Sequence, residues 1–317
     1  SALRLLLGGS AHVYAVTFGL ASLLLQVFLP YRAVVRWLKW LTLALLAYVA
    51  VAFSLSIDWG LVLQRIVVPE LPWSSDVLLM VVAVFGTTIS PYLFFWQAAQ
   101  EMEERPAHGA RSDDGQYTEG EVRRHLRRIK WDTNIGMLFS NVIAFFIILS
   151  TAATLHAAGV TDIQTSAEAA EALRPVAGER TFLLFALGII GTGMLAVPVL
   201  AGSAVYAVAE AAGWRGSLDL RLERGEGRGF YGVMAVATLG GVLLCFLPMD
   251  PVRQLFWAAV VNGVIAVPIM AVMMRLATDP AVMGPHVIGR RLRRIGWIAT
   301  SAMALTVLAL GVSVPRP

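Results

Sequence analysis

The chain has one cysteine, Cys245, among 317 residues, so no internal disulfide can brace it. It holds no His-Glu-x-x-His, no Gly-x-Ser-x-Gly and no cysteine pair. Ordinary hydrolytic and metal-enzyme chemistries therefore lack their residues, and no enzyme is expected. Charge is scarce as well: 15% of residues are Asp, Glu, Lys or Arg, against 57% hydrophobic. With a mean hydropathy of +0.70, this composition excludes a soluble protein and specifies one embedded in lipid.

At about 20 apolar residues per span, the chain divides into eight segments, approximately 11–29, 40–57, 77–100, 135–157, 181–209, 230–248, 255–274 and 295–314. No connection is long or varied enough for a soluble domain. An all-α, polytopic membrane helix bundle forming one domain over residues 1–317 is expected, with the lipid bilayer as its surroundings. Basic residues test the division, because cytoplasmic loops collect them. Alternate connections hold Arg32, Arg36, Lys39; Arg105, Arg111, Arg123, Arg124, Arg127, Arg128, Lys130; Arg215, Arg221, Arg224, Arg228; and Arg275, Arg290, Arg291, Arg293, Arg294, which is 19 of the 25. Both ends of the chain then lie outside the cytoplasm. The basic balance follows from topology, so no nucleic-acid partner is indicated. Eight of the nine tryptophans sit at or near span ends, as an aromatic belt requires. Trp96 alone lies well inside a span. Residues 1–10 lack the cleavage region of a signal peptide.

One stretch organises the rest, Asp76 to Glu104. Asp76–Phe85 and Tyr92–Gln100 each read as half a span, and Gly86, Thr87, Thr88, Ile89, Ser90 and Pro91 between them are poor helix. Pro91 has no N–H, so the Thr87 carbonyl four residues back loses its helical partner. An orphan carbonyl in hydrocarbon costs several kcal/mol. Such a break persists where it lines a cavity or binds something, or where it only kinks a packing helix. The hydroxyls of Thr87, Thr88 and Ser90 lie beside the freed carbonyl and offer hard oxygen ligands near mid-span. Ser74 to Asp76 supply the N-cap.

Carboxylates are absent from all eight span interiors. A cation stripped of water needs anionic ligands or many oxygens, and these interiors offer neutral oxygens only. Asn141, a third of the way into the fourth span, is expected to bond between helices, with cation ligation the lesser role. Asn262, Gly263 and Pro268 suggest a second polar break in the seventh span. The glycines of the fifth span suggest close packing. EVRRHLRRIKWD, residues 121–132, reads as a basic amphipathic helix at the headgroups or a solvated charge run. The stretch 104–121 is expected to be a mobile linker, and Ser166–Arg174 a short helix stopped by Pro175.

GTTISPYLFFWQAAQEMEE, with DTNIGMLFSN and GIIGTGMLAVPVLAGSAVYAVAE downstream, resembles the NRAMP superfamily of divalent metal transporters, and its divergent bacterial branch in particular. The resemblance implies a bacterial inner-membrane protein with the LeuT-like inverted-repeat fold, in which the first and sixth spans are broken at the site. On that mapping these eight spans are the family's fourth to eleventh, and the expectation is an N-terminally truncated chain that needs its three missing spans to function. The family's sixth span binds metal through a backbone carbonyl and, three residues later, a methionine followed by Pro-His. Here those positions are Thr87, Ser90 and Tyr92. Ser90 in place of a thioether favours a hard ion, Mg²⁺, with Mn²⁺ next. Tyr92 in place of histidine bears on any coupling ion. Thr87 and Ser90 are the implied metal ligands, with Thr88 and Tyr92 behind them and Gln97 and Gln100 on an exit path. No cofactor is expected beyond the transported ion. Two other readings stay open: an organic-solute transporter of the same fold, in which a half-helix end faces a carboxylate, and a membrane scaffold that transports nothing.

Overall fold

The computed structural model describes residues 2–28, 40–70, 74–108, 119–160, 162–163, 165–174, 178–214 and 227–313. The basic residues at 32, 36, 39, 111, 215, 221 and 224 that carry part of the charge asymmetry lie outside them, as do the linker from 109 to 118 and Pro175. All regular structure among the described residues is helical. We number the helices α1 Ala2–Leu7, α2 Ala11–Phe28, α3 Ala47–Ser54, α4 Trp59–Val67, α5 Ser75–Thr88, α6 Tyr92–His108, α7 Glu119–Thr151, α8 Ser166–Glu171, α9 Thr181–Ala211, α10 Arg228–Leu244, α11 Pro251–Thr278, α12 Pro280–Met283 and α13 Arg290–Ser313.

Among the described residues six helical segments are long and apolar enough to cross a membrane: α2, α5 with α6, α7 with its continuation to His156, α9, α11 and α13. The other two expected spans are helical but shorter. The second consists of a 3-10 helix, Leu41–Leu46, followed by the eight residues of α3; nothing in its sequence accounts for the 3-10 winding. The sixth is α10, with 17 residues. It ends at Leu244 and tightens into i→i−3 turns through Leu247, just before Pro248, and Pro251 then opens α11 at a position where its missing N–H costs nothing.

Two of the expected breaks are not there. The basic stretch from Glu121 and the fourth span form one uninterrupted helix, α7, of 33 residues. At 1.5 Å per residue it is about 50 Å long, which exceeds a hydrocarbon core of about 30 Å, so its charged first turns stand clear of the apolar part. α11 likewise runs straight through Asn262, Gly263 and Pro268. Helix α6 also continues to His108, so residues expected in a linker extend the helix instead.

The chain forms two compact units, residues 1–57 with 95–248 and residues 58–94 with 249–317. The first is built around α9, which packs against α1, α2, α8, α10 and the 3-10 helix, while α3 packs on α7. One of its cores joins Ala99, Ala201, Val205, Tyr206, Phe230 and Met234; the other joins Tyr48, Val51, Leu155, Leu173 and Phe185. Ser150 is fully buried and donates its hydroxyl to the Tyr48 carbonyl at 2.7 Å, tying α7 to α3. The short helix α8 begins at Thr165, whose hydroxyl and the Glu168 carboxylate cap each other's backbone N–H groups.

The second unit is a three-helix packing of α5, α11 and α13 around Val82, Ala83, Ala259, Val260 and Leu310. Large side chains such as Leu138 and Phe139 on α7, Leu243 on α10, Leu255 on α11 and Leu305 and Leu308 on α13 remain exposed. In water such a surface would aggregate, whereas in lipid it faces a solvent as apolar as itself.

Candidate functional site

The interruption expected around Pro91 is present, but it is narrower than the sequence suggests. Helix α5 includes Gly86, Thr87 and Thr88, and only Ile89, Ser90 and Pro91 stand between it and α6. The reason lies in which groups a proline removes. Pro91 forfeits one N–H, and with it the partner of one carbonyl, so residues before that carbonyl keep their bonds. Ile89 still donates its N–H to the Phe85 carbonyl at 2.8 Å. Beyond the break the chain rewinds tightly, with Leu93 N–H on the Ser90 carbonyl at 3.1 Å and Phe94 N–H on the Pro91 carbonyl at 3.2 Å. The two halves together make one 28-residue span, Ser75–Met102. Its start is fixed by Ser74, whose hydroxyl accepts from the Val77 N–H at 3.3 Å.

The carbonyl that Pro91 frees is answered from within the break. Ser90 is 4% exposed, and its hydroxyl donates to the Thr87 carbonyl at 2.8 Å. The Gly86 carbonyl is at 3.5 Å from the same hydroxyl. Thr87 and Thr88 instead turn their hydroxyls back to the Val84 carbonyl, at 2.9 and 2.8 Å. They are tied into the helix and are not gathered with Ser90. The oxygen cluster expected from the sequence thus resolves into one close pair, Thr87 carbonyl with Ser90 hydroxyl, and two threonines that bond their own helix. Pro91 is buried and Tyr92 half-buried.

Gly86 and Gly263 explain how the second unit holds this segment. A Cβ at Gly86 would fall 2.6 Å from the Gly263 nitrogen and nearer still to the Ala259 carbonyl oxygen, and one at Gly263 would fall 2.5 Å from the Val82 carbonyl oxygen. Helices α5 and α11 therefore meet main chain to main chain, one residue before Thr87. This corrects the reading of Asn262-Gly263 as a break: the glycine permits close approach in a helix that stays intact. Asn262 is half-buried on α11.

The remaining candidates belong to the first unit and are engaged there. Gln97 donates to the Thr133 hydroxyl at 3.1 Å, and Gln100 to the Tyr206 hydroxyl at 3.4 Å. Trp96 stacks edge-on with Tyr206, ring centroids 6.0 Å apart, over the gap left by Gly202. Asn141 is exposed and donates to the Met137 carbonyl of its own helix at 2.7 Å, not to another helix as expected. An amide on an exposed helix face has its own i−4 carbonyl as an available partner.

One association was missed by sequence reasoning. Glu101 on α6 meets α7, with Oε2 at 3.0 Å from His125 Nε2 and 3.8 Å from Arg128. The spacing of His125 and Arg128, one turn apart, was the available signal, but their location in a basic run disguised it. Among the described residues no three His, Cys, Asp or Glu side chains gather as a metal site, so any ion held at the break by these residues meets neutral oxygens.

A family model described as natural resistance-associated macrophage protein-like, or Nramp, matches residues 1–313. That match spans both units, the broken helix included. The fold of that family is the LeuT-like arrangement, and its members are transporters, not enzymes. Six apolar helices of spanning length among the described residues agree with it, and the chain belongs to the Nramp family of divalent metal ion transporters.

Proposed function

We propose that the chain carries divalent metal ions across a bacterial inner membrane by alternating access, with Mg²⁺ the favoured cargo and Mn²⁺ next, and that the ion touches the Thr87 carbonyl and the Ser90 hydroxyl. The 2.8 Å separation of those two oxygens is the observation that carries this reading. Octahedral Mg²⁺ holds its oxygens at about 2.1 Å, which places neighbouring ligands about 3.0 Å apart. The pair is therefore within a few tenths of an ångström of one edge of such an octahedron. Larger ions such as Ca²⁺, at about 2.4 Å, would need the pair to open further.

A hydroxyl has one proton and two lone pairs, and the proton rotates. When the Ser90 proton turns away from Thr87, both oxygens present lone pairs to a common point. Neither is soft, which disfavours thiophilic metals. Two neutral oxygens supply part of a six-ligand shell, so water or other groups complete it. Thr88 stiffens the helix end behind the pair through its bond to Val84, and Tyr92 borders the break. Gln97 and Gln100 follow two and three turns along α6 toward the cytoplasmic side, the orientation given by the basic connections.

Uptake of Mg²⁺ and Mn²⁺ into liposomes containing the protein tests the assignment. Ser90→Ala should lower Mg²⁺ uptake about tenfold or more, the scale of loss when a group supporting a metal is removed. Ser90→Cys should shift preference from Mg²⁺ toward softer ions. Unchanged uptake and selectivity in both variants would remove Ser90 from the site.

A further inference from the structure

We infer that α4, residues Trp59–Val67, is a membrane-surface helix, lying in the headgroup region of the leaflet on which the connection between α3 and α5 emerges. The helix has a complete amphipathic pattern for its length. Trp59, Val62, Leu63, Ile66 and Val67 recur at i, i+3, i+4, i+7 and i+8 and form one stripe, while Gly60, Leu61, Gln64 and Arg65 take the other side. Asp58 fixes its start, accepting the Leu61 N–H at 3.1 Å, so the helix is a defined element and not a frayed turn. None of its nine residues is buried. Leu63, Ile66 and Val67 are 63%, 57% and 79% exposed, so most of the apolar stripe lies uncovered, as the polar side does.

In a water-soluble protein that face would ask for an unknown partner. Here the covering phase follows from the chain itself. Four residues separate Ser54 from Trp59, so the helix begins under about 18 Å from the end of α3, and Val67 is tethered to Ser75 of the spanning helix at under about 29 Å. A helix leashed at both ends to chain that enters the bilayer stays near the bilayer surface, within reach of the interface. There a tryptophan at one end and an apolar stripe are favoured, and a helix lies flat with its stripe a few ångströms into the acyl boundary. The polar side fits the same placement. Arg65 pairs with Glu70, with side chains 47% and 71% exposed, so the charge is offset locally. Attachment then depends on the apolar stripe, not on anionic lipid.

Nitroxide scanning tests this in the whole protein. In a Cys245→Ser background, each of residues 59–67 is changed to cysteine in turn and spin-labelled. The protein is placed in neutral phosphatidylcholine vesicles, and collisions with oxygen, which partitions into lipid, are compared with those of a water-soluble nickel chelate. Oxygen should dominate at 59, 62, 63, 66 and 67 and nickel at 60, 61, 64 and 65, with Leu61→Cys reading as water-exposed despite the leucine it replaces. Nickel dominance at all nine positions would overturn the inference, as the helix would stand in water. Oxygen dominance at 64 and 65 as well would overturn it in favour of a spanning segment. Low accessibility to both reagents at 63 and 66 would mean that protein covers the stripe, and a pattern that needs anionic lipid would refute the apolar account.

Discussion

Replacing Gly86 by alanine is the sharpest test of how the interrupted helix is held. The added Cβ would lie 2.6 Å from the Gly263 nitrogen, where ordinary contact begins at 3.4 Å, so α5 and α11 must part by at least the difference, 0.8 Å. No rotamer change relieves this, because the obstructing atoms are main chain. A gap of that size forfeits about a quarter to a half of the dispersion attraction across the contact, and Val82, Ala83, Ala259 and Val260 all lie on it. Overpacking of cores costs about 1–3 kcal/mol, occasionally more, and the backbone obstruction places Gly86→Ala at the upper end. Thermal unfolding in detergent, followed by the fraction remaining monodisperse, should show a clear loss of stability, and Mg²⁺ uptake should fall with it because Thr87 is the next residue. Gly193→Ala and Gly240→Ala are the controls. Their Cβ atoms would meet nothing within 4 Å, and both lie inside helices. They should be neutral or more stable by about 0.5–1 kcal/mol, from helix propensity alone. An unaltered melt for Gly86→Ala, or an equal loss in the controls, would refute the main-chain contact.

Pro91→Ala restores the N–H that the Thr87 carbonyl lacks. It should lengthen the helix across 89–91, leave folding intact and abolish uptake; retained uptake would show that the break is dispensable. Gly202→Ala also crowds a neighbour, but that neighbour is the Trp96 ring, which can turn. Its destabilisation should be smaller than that of Gly86→Ala, and an equal or larger loss in the same melt would contradict the account. At Glu70, the hydrogen bond and charge of Arg65 hold the carboxyl below its ordinary value of 4.5. A depressed carboxylate contributes stability above its unfolded pKa and loses it as pH falls through the folded one. Melting curves of wild type and Glu70→Gln should therefore differ slightly at pH 7 and converge as pH falls through the depressed carboxyl pKa; a gap that widens in acid would reverse the sign of the argument.

Membrane insertion, helical class and the position of the break were readable because each depends on one strong local rule: apolar runs for spans, and a missing N–H for Pro91. What proline does next was not. Pro198 and Pro268, each preceded by Ala-Val, sit inside uninterrupted α9 and α11, while Pro91, preceded by Ile89 and Ser90, ends a helix. The outcome depends on whether surrounding structure stabilises the bent or the open form, which is a tertiary matter. The hydroxyls of Thr87 and Thr88 looked like ligands by adjacency, yet each had a nearer acceptor one turn back at Val84. Only Ser90, at the point where the turn fails, had a freed carbonyl to reach. Gly263 misled for a related reason: close approach and a helix break both accommodate glycine, and sequence does not say which.

The meeting of α5 and α11 through bare backbone also constrains how this chain can drift. At most packed positions a change in one side chain is offset by a complementary change opposite, since volume lost on one side can be regained on the other. Gly86 and Gly263 have no such exchange, because neither can shrink to accommodate the other and each is blocked by carbonyl and amide atoms that every residue carries. A second substitution would add to the first instead of rescuing it, so lineages of this protein must keep both glycines or abandon the crossing altogether.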